Sequence, residues 1–425
     1  MPESNTSARE EFSRHWTLII AASIGFAFTA VVTNSAGLFM GPLTDEFGWS
    51  RTLVSSGISI SSVLTFLLSP LFGILIDRIG TRWLALPGLT LMALTIASLG
   101  WLTGSEMQWY VIWTIYAVAA LACKSTVWTA TVNSTFETGR GLALGLVLSG
   151  SALAQIVVPP LTDWLIGGFG WRMAYVWLAA GGGSLAVLLC LVWLRDGYEA
   201  GRKARAADAG SAKQKALLDV PGLSVAEAWR SAALWRISIS TFVIMIVTIG
   251  VMVHQIPILI DLGTDRTSAA LYASLGGVAG ILGKLVTGYL LDRHPARWVG
   301  GMTIGAGTIT FVLLLTPNLT PALVIPAMIV NGYTAGAKLQ IVGFLTAAYA
   351  GMRHFGTIFG AMASLIAAGS GLGPIVAGLV FDNVGTYVPF LWFGVAGTLF
   401  SAFLLTGLSA YPDWKAKELT SPAAG

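Results

Sequence analysis

The sequence predicts an all-α membrane protein in which twelve transmembrane helices form two pseudo-symmetric six-helix bundles. Of the 425 residues, 55% are hydrophobic and only 10% are charged, whereas a soluble domain carries about 25% charged residues. Apolar runs long enough to cross a bilayer recur along the whole chain, and such runs are typical of transmembrane helices. The two halves of the chain also share sequence motifs at a constant spacing.

The apolar runs set the order of the helices. In the first half we predict helices at 17–40, 52–76, 84–103, 109–132, 142–166 and 172–194, and in the second half at 232–260, 267–291, 298–316, 322–349, 356–380 and 388–409. The first bundle therefore covers 17–194 and the second covers 232–409. Three segments are predicted to lie outside the membrane: the N-terminal 1–16, a charged linker at 195–231 and the tail at 410–425.

Lysine and arginine residues indicate the orientation, because cytoplasmic loops carry an excess of them. Of the 24, eighteen lie in the N-terminal segment, the even-numbered loops and the tail, and only Arg51, Arg172 and Arg266 lie on the other side. Both termini and the linker are therefore predicted to be cytoplasmic. The two cysteines fall within predicted spans and indicate no disulfide framework.

An internal repeat relates the two halves. The segment GILIDRIGTRW (73–83) matches GYLLDRHPARW (288–298) at glycine, aspartate, both arginines and tryptophan, an offset of 215 residues. The same offset relates Arg51 to Arg266 and Gly170 to Gly385. Parallel repeats of this kind place a substrate site near the bilayer midplane, between the two halves.

These motifs resemble the major facilitator superfamily, whose loop between the second and third helices reads G-x-L-x-D-R-x-G-x-R. The segments DEFGWSRT, GRGLALGLVLSG, GWRMAY and HQIPILIDLG further resemble its monocarboxylate and oxalate/formate transporter branch in the bacterial form. The resemblance implies a monomeric secondary transporter of a bacterial inner membrane, without a cofactor. It also implies a cytoplasmic gate, formed by Asp77, Arg78, Arg82, Asp292, Arg293 and Arg297. The alternative is that these charges only orient the chain.

Three lysines, Lys124, Lys284 and Lys338, fall inside predicted spans. A lysine near the membrane centre costs about 2.5–3.5 kcal/mol on the translocon scale. Apart from the loop motifs, Asp163 is the only acid within the spans, so we expect an electropositive cavity. Lys124 and Lys338 are separated by 214 residues and are near-equivalent in the repeat. Since helices 1, 4, 7 and 10 line the cavity in the superfamily, the two lysines are expected to face each other. Snorkelling to the interface is the alternative.

Two positions depart from the resembled branch. Lys284 stands where an arginine commonly contacts the substrate carboxylate, and a lysine lacks the planar fork of arginine. The segment GAKLQ (336–340) replaces G-A-E-x-D, so that a cation and an amide stand in place of two acids. The first departure is compatible with an anionic substrate but changes the geometry of its recognition. The second indicates either a more negative substrate, supplied from outside the protein, or a different ion coupling. Asn34, Trp128 and Asn331 are further candidate contacts, for which ordinary hydrogen bonds between helices are the alternative.

His254 is a candidate for proton coupling, because a histidine can exchange protons near neutral pH. A packed, hydrogen-bonded histidine is the alternative. Proton transfer through a lysine, or co-transport of a protonated acid, would need no histidine.

The sequence therefore predicts a secondary active transporter of a small organic anion, a mono- or dicarboxylate, that works by alternating access as a proton symporter or an anion exchanger. A proton-driven exporter of lipophilic compounds is an alternative, but it would use a membrane carboxylate as proton carrier. A non-transporting membrane sensor would need a larger cytoplasmic domain. No phosphate-binding loop, metal-ligand cluster or nucleophile–base arrangement indicates an enzyme, and the dispersed basic residues indicate no nucleic-acid partner.

Overall fold

The computed structural model describes residues 8–136, 140–194, 222–351 and 353–411. The first four helices cross in alternating directions: α1 comprises Ala8–Thr29 and Val31–Phe47, α2 is Arg51–Ile79, α3 comprises Thr81–Ser98 and Leu99–Trp101, and α4 comprises Glu106–Leu121 and Ser125–Thr135. At the starts of α2 and α4, the side chains of Ser50 and Ser105 accept a backbone hydrogen bond, which satisfies one of the free N–H groups there.

The next two helices are nearly continuous, as Arg140–Leu148, Gly150–Trp177, Leu178–Gly183 and Ser184–Trp193. The 52 residues of Leu142–Trp193 would extend about 78 Å as one helix, far more than the roughly 30 Å of the hydrocarbon core. Gly170, with φ +76° and ψ +163°, interrupts the helix, so that residues 140–169 form α5 and 171–193 form α6. The eleven apolar helical segments found in the described part of the chain therefore make twelve crossings, as predicted.

The second half repeats this order. It consists of α7 Ala232–Asp261, α8 Arg266–Arg293, α9 (Ala296–Ala306 and Thr308–Leu314), α10 Pro321–Ala350, α11 Phe355–Val384 and α12 Val388–Thr406. The two halves meet through α2 with α11, α5 with α8, and α1 with α7. The predicted fold class is confirmed.

The predicted boundaries differ from the structure at two ends. α1 begins at Ala8, within the N-terminal segment that was predicted to be non-membrane, and its backbone departs from helical angles at His15. The end of the predicted linker forms a short helix, Val225–Arg230, with a capping box between Ser224 and Glu227. This sequence pattern marks the start of a helix, but it was not recognised within the polar linker. Most of the linker (195–221) and most of the tail (412–425) lie outside the described residues.

Glycines bring α8 and α10 into close contact. A Cβ at Gly332 would overlap the backbone of Gly276, and a Cβ at Gly336 would overlap the carbonyl of Gly280. Small residues in this pattern let transmembrane helices approach closely. Contacts between these two helices pair residues 50 to 56 positions apart, and since both helices run in the same direction, these offsets fix their relative depth to within about one helical turn.

We expect Gly336→Ala to lower the melting temperature in detergent. The methyl group gains up to about 1 kcal/mol of helix propensity, but overpacking a tight contact costs about 1–3 kcal/mol. Gly41→Ala is the matched control, because nothing lies within 4 Å of a Cβ at this helical glycine. Equal melting temperatures for the two variants, measured by thermal unfolding, would contradict the tight crossing.

Candidate functional site

Lys124 stands at a break in α4. The first part of the helix ends at Leu121, and Lys124 adopts an extended conformation (φ −66°, ψ +163°) just before Ser125–Thr135 begins. The indole Nε1 of Trp128 donates to the carbonyl oxygen of Cys123 at 2.7 Å, which satisfies a carbonyl freed by the break. The backbone of Lys124 therefore stands at the positive end of the second helix part, and exposed helix starts of this kind can face anions inside a membrane.

Lys338 lies on α10 and is 6% exposed. Its Nζ donates to the hydroxyl of Thr248 on α7 at 2.6 Å, and that hydroxyl donates to the carbonyl of Ile244 at 2.7 Å. An ammonium group has three donors, and this hydroxyl engages one of them. The bond fixes the position of the charge within the second half.

Lys284 lies at nearly the same depth as Lys338. The glycine contacts of α8 with α10 pair residues 50 to 56 positions apart, so Lys284 lies at the level of residues 334–340 of α10, a range that includes Lys338. At the repeat offset of 215, Lys124 is equivalent to the residue that follows Lys338, so the repeat places it at the same depth. Its Nζ donates to the Ser69 hydroxyl of α2 at 3.2 Å, and Ser69 is the residue equivalent to Lys284 at the offset of 215. Three cations thus share one level of the bundle.

These lysines have no acidic partner among the described residues. Within that part of the chain, ion pairs within 4.0 Å join only Arg172 to Glu46 and Arg266 to Asp163. The level of the three lysines is therefore electropositive, and an anion from outside the protein would neutralise it.

A small polar cavity lies between the halves, lined by residues of α1, α5, α7 and α8 that include Asn34, Gln155 and Gln255. The Asn34 amide donates to the carbonyl of Ala30 at 2.8 Å, and the Gln255 amide contacts the sulfur of Met328 at 2.9 Å. A volume of about 10 Å³ holds about one water molecule. The two halves are thus nearly closed at this point.

Arg51 and Thr52 join the first half to the second at the start of α2. The backbone N–H groups of both residues donate to the carboxylate of Asp382 on α11 at 2.9 Å, and the Thr52 hydroxyl donates to it at 2.5 Å. A carboxylate at a helix N-terminus is favoured by the helix dipole. The Arg51 guanidinium stacks on Phe381 at 3.4 Å from the ring centroid.

Arg266 and Thr267, at the equivalent positions of the repeat, make the reciprocal connection. The Arg266 Nε donates to Asp163 of α5 at 2.5 Å, and the Thr267 hydroxyl donates to the other carboxylate oxygen at 2.8 Å. Each half therefore binds an aspartate of the other half through an arginine–threonine pair. We call the face with these two contacts the closed face. Among the described residues, the hydrogen bonds that join the two halves all lie in the part of the bundle that extends from this face to the level of Ser59.

His254 of α7 belongs to the same connection. Its Nε2 lies 3.0 Å from the carbonyl of Pro374 and 2.8 Å from the Ser55 hydroxyl, and its Nδ1 lies 2.7 Å from the Tyr387 hydroxyl. A carbonyl can only accept, so in the neutral ring Nε2 carries the proton and Nδ1 accepts from Tyr387. The Arg51 guanidinium donates to the same tyrosine at 2.7 Å.

The sequence model of the Major Facilitator Superfamily matches residues 19–261 and 237–423. The chain belongs to this superfamily. It is 25% identical to Monocarboxylate transporter 13 of Bos taurus over 92% of this chain and 87% of that protein, and 24% identical to Agnestins efflux protein AgnL12 of Paecilomyces divaricatus over 93% and 88%. The solved nucleoside transporter NupG has the same fold, with a TM-score of 0.70 and 16% identity over 93% of this chain and 99% of that one. The protein is thus a transporter, not an enzyme.

The predicted cytoplasmic gate residues of this facilitator lie at the face opposite the closed face. Arg82 donates to the carbonyls of Leu191 and Leu194 at the end of α6, at 2.7 and 2.9 Å, and Arg297 donates to Leu408 beyond α12 at 2.9 Å. The two arginines therefore bind helix ends within their own halves.

Three other members of the predicted gate have described surroundings. The Arg293 guanidinium lies over the Tyr289 ring at 4.2 Å, and Asp292 and Arg78 are exposed. The side chain of Asp77 lies outside the described part of the structure. Their gating role stays a prediction.

Two of the predicted substrate contacts have different surroundings. Trp128 is fully buried in the first half and packs against Gly25, where an added Cβ would overlap the indole. In this arrangement the indole bonds to the Cys123 carbonyl at the break in α4, and a role of Trp128 in substrate binding stays a prediction. Asn331 is 8% exposed on α10, directly before Gly332 of the glycine crossing, and stays a candidate.

Sequence reasoning missed several residues of the site. Asp382, Tyr387, Gln155 and Gln255 were not predicted, because single polar residues in apolar helices carry no periodic signal. One signal was available: the dipeptide Arg–Thr occurs at 51–52 and again at 266–267.

Proposed function

We propose that this facilitator transports a small organic anion, a mono- or dicarboxylate, by alternating access. The observation that carries the proposal is the level of three lysines without a described acidic partner. Lys338 and Lys284 from the second half and Lys124 from the first half would bind the carboxylate, and Asn331 and Asn34 would donate amide hydrogen bonds. A movement of the two halves that alternately opens and closes the closed face would expose the three lysines to each side of the membrane in turn.

The names of the relatives are consistent with this substrate class. Monocarboxylate transporter 13 is similar to this chain over most of both lengths. The efflux protein AgnL12 is similar to a comparable extent, which favours outward movement as a second candidate direction. The buried lysines support an anion in either case.

We propose that the protein is a monomer of a bacterial inner membrane with both termini cytoplasmic, since the lysine and arginine distribution supports that orientation. The closed face would then be periplasmic. We further propose His254 as the residue that couples transport to protons. The Arg51–Tyr387 bonds connect its ring to the closed face, and a doubly protonated ring would lose the bond that Nδ1 accepts.

The function is tested by uptake of radiolabelled lactate, oxalate, succinate and an aromatic acid into proteoliposomes, with and without an inward proton gradient. We expect saturable uptake of at least one acid. Dependence on the gradient identifies symport, and dependence on an anion inside the vesicles identifies exchange. Extrusion of cationic dyes without uptake of any acid would contradict the proposal.

A further inference from the structure

A second cavity lies on the outside of the first half, and no lysine lines it. It is a groove of about 560 Å³ between α1, α5 and α6. Its lining consists of aliphatic and aromatic side chains and glycine and carries no charged group. The walls that α5 contributes, such as Leu153 and Val157, are 44% and 47% exposed and open away from the core.

The floor of the groove is formed by an irregular turn of α6. Residues Leu178–Gly183 adopt a π-helical conformation, which is rare and often occurs at functional sites. Nothing lies within 4 Å of a Cβ added at Gly181, and a Cβ at Gly182 would face the Phe28 ring at 3.3 Å. The groove exists because no side chain fills this turn.

The groove starts at the closed face and extends across most of the thickness of the hydrocarbon core. Its α5 wall runs from Leu153 to Phe169, and sixteen residues of helix rise about 24 Å, compared with about 30 Å for the whole hydrocarbon core. At the closed face it ends in an aromatic rim, where the Phe169 ring lies 5.9 Å from Trp164 and 6.1 Å from Trp177. Tryptophans are enriched at the level of the lipid headgroups.

We propose that this groove binds an acyl chain of a phospholipid in the leaflet at the closed face. The surroundings of a transmembrane helix are hydrocarbon, and the apolar lining matches a hydrocarbon chain. The aromatic rim lies where the chain joins its headgroup, and the floor at Gly181 leaves room for it. The bound chain packs against the side of α5 that faces away from Asp163, and it thereby supports a helix that holds the two halves together.

The test uses vesicles of phosphatidylcholine that contain an analogue with a diazirine midway along one acyl chain. After reconstitution and irradiation, the labelled peptides of the full-length protein are quantified by mass spectrometry. We expect label to concentrate on α5 and α6, and we expect Gly181→Phe to remove most of it by filling the floor. Ala396→Phe is the matched control, because Ala396 is the exposed equivalent of Gly181 in α12 and the change should leave the labelling unaltered.

Two further arms make the result decisive. Val157→Phe fills the groove from the α5 wall, so it replaces Gly181→Phe if that variant does not fold, as judged by its melting temperature. A diazirine fatty acid replaces the phospholipid in a parallel sample. Even labelling around the lipid-facing surface, unchanged labelling in both filled variants, or labelling by the fatty acid alone would each overturn the proposal.

Discussion

Replacing Lys338 with methionine is expected to reduce organic-anion uptake by about 10- to 150-fold, the factor that corresponds to about 1.5–3 kcal/mol for a hydrogen bond to a charged group. Methionine keeps most of the volume of the side chain, so the loss reports the missing ammonium rather than a void. The Thr248 hydroxyl keeps its own acceptor in Ile244 and is not left without a partner. Initial rates in proteoliposomes over a range of anion concentrations measure the effect.

Two companion variants separate binding from general damage. Lys338→Arg keeps the charge and should retain part of the uptake. Arg230→Met removes a cation from the exposed short helix before α7 and should leave uptake unchanged. If Lys338→Met transports as well as the wild type, Lys338 does not bind the anion, and Lys124 and Lys284 would become the remaining candidates.

The double variant Asp163→Asn with Asp382→Asn is expected to shift the protein away from the closed arrangement. Each aspartate accepts two or more hydrogen bonds from the opposite half. An amide cannot accept them all with equal strength, and charge-assisted hydrogen bonds are roughly twice as strong as neutral ones. Every 1.4 kcal/mol lost would move the equilibrium about tenfold toward the state open at this face.

Distance measurements between spin labels detect this shift. Met107 and Ala322 are exposed, equivalent residues in the first turns of α4 and α10, and labels attached there report the separation of the halves at the closed face. The native Cys123 and Cys190 are replaced by alanine. We expect a longer distance to gain population in the double variant.

Glu46→Gln is the matched control for the double aspartate variant. It removes an ion pair to Arg172 of 2.6 Å at the same face, but this pair lies within one half. Its distance distribution should match that of the wild type. A double aspartate variant with an unchanged distribution would show that the arginine–threonine pairs do not hold the halves together.

Much of the architecture follows from the sequence because its physical cause is local. A helix that crosses hydrocarbon must be apolar for about twenty residues, so the crossings could be predicted one by one. Gly170 could be recognised from its repeat partner Gly385, and both have positive φ values. Lys124, Lys284 and Lys338 could be singled out for a related reason, since a charge inside a membrane needs a partner wherever it lies.

The same reasoning could not predict which residues of the two halves contact each other. The repeat relates Arg51 to Arg266, but the residues equivalent to Asp163 and Asp382 are Gly378 and Gly167. The two aspartates lie one helical turn out of symmetry on α5 and α11, so the repeat could not indicate which acid meets which arginine. Trp128 shows the same limit: its spacing from Lys124 assumed one continuous helix, whereas α4 breaks at Lys124 and the ring is buried in the first half.

The sequence by itself thus determined the class of fold, the order of the crossings, the two related halves and the presence of unpaired cations in the membrane. The tertiary structure decided which residues join the halves, where α4 breaks, and how the three lysines come to one level. The reason is that hydrophobicity acts on each segment separately, whereas the depth and rotation of one helix against another depend on packing details such as the glycine contacts of α8 with α10.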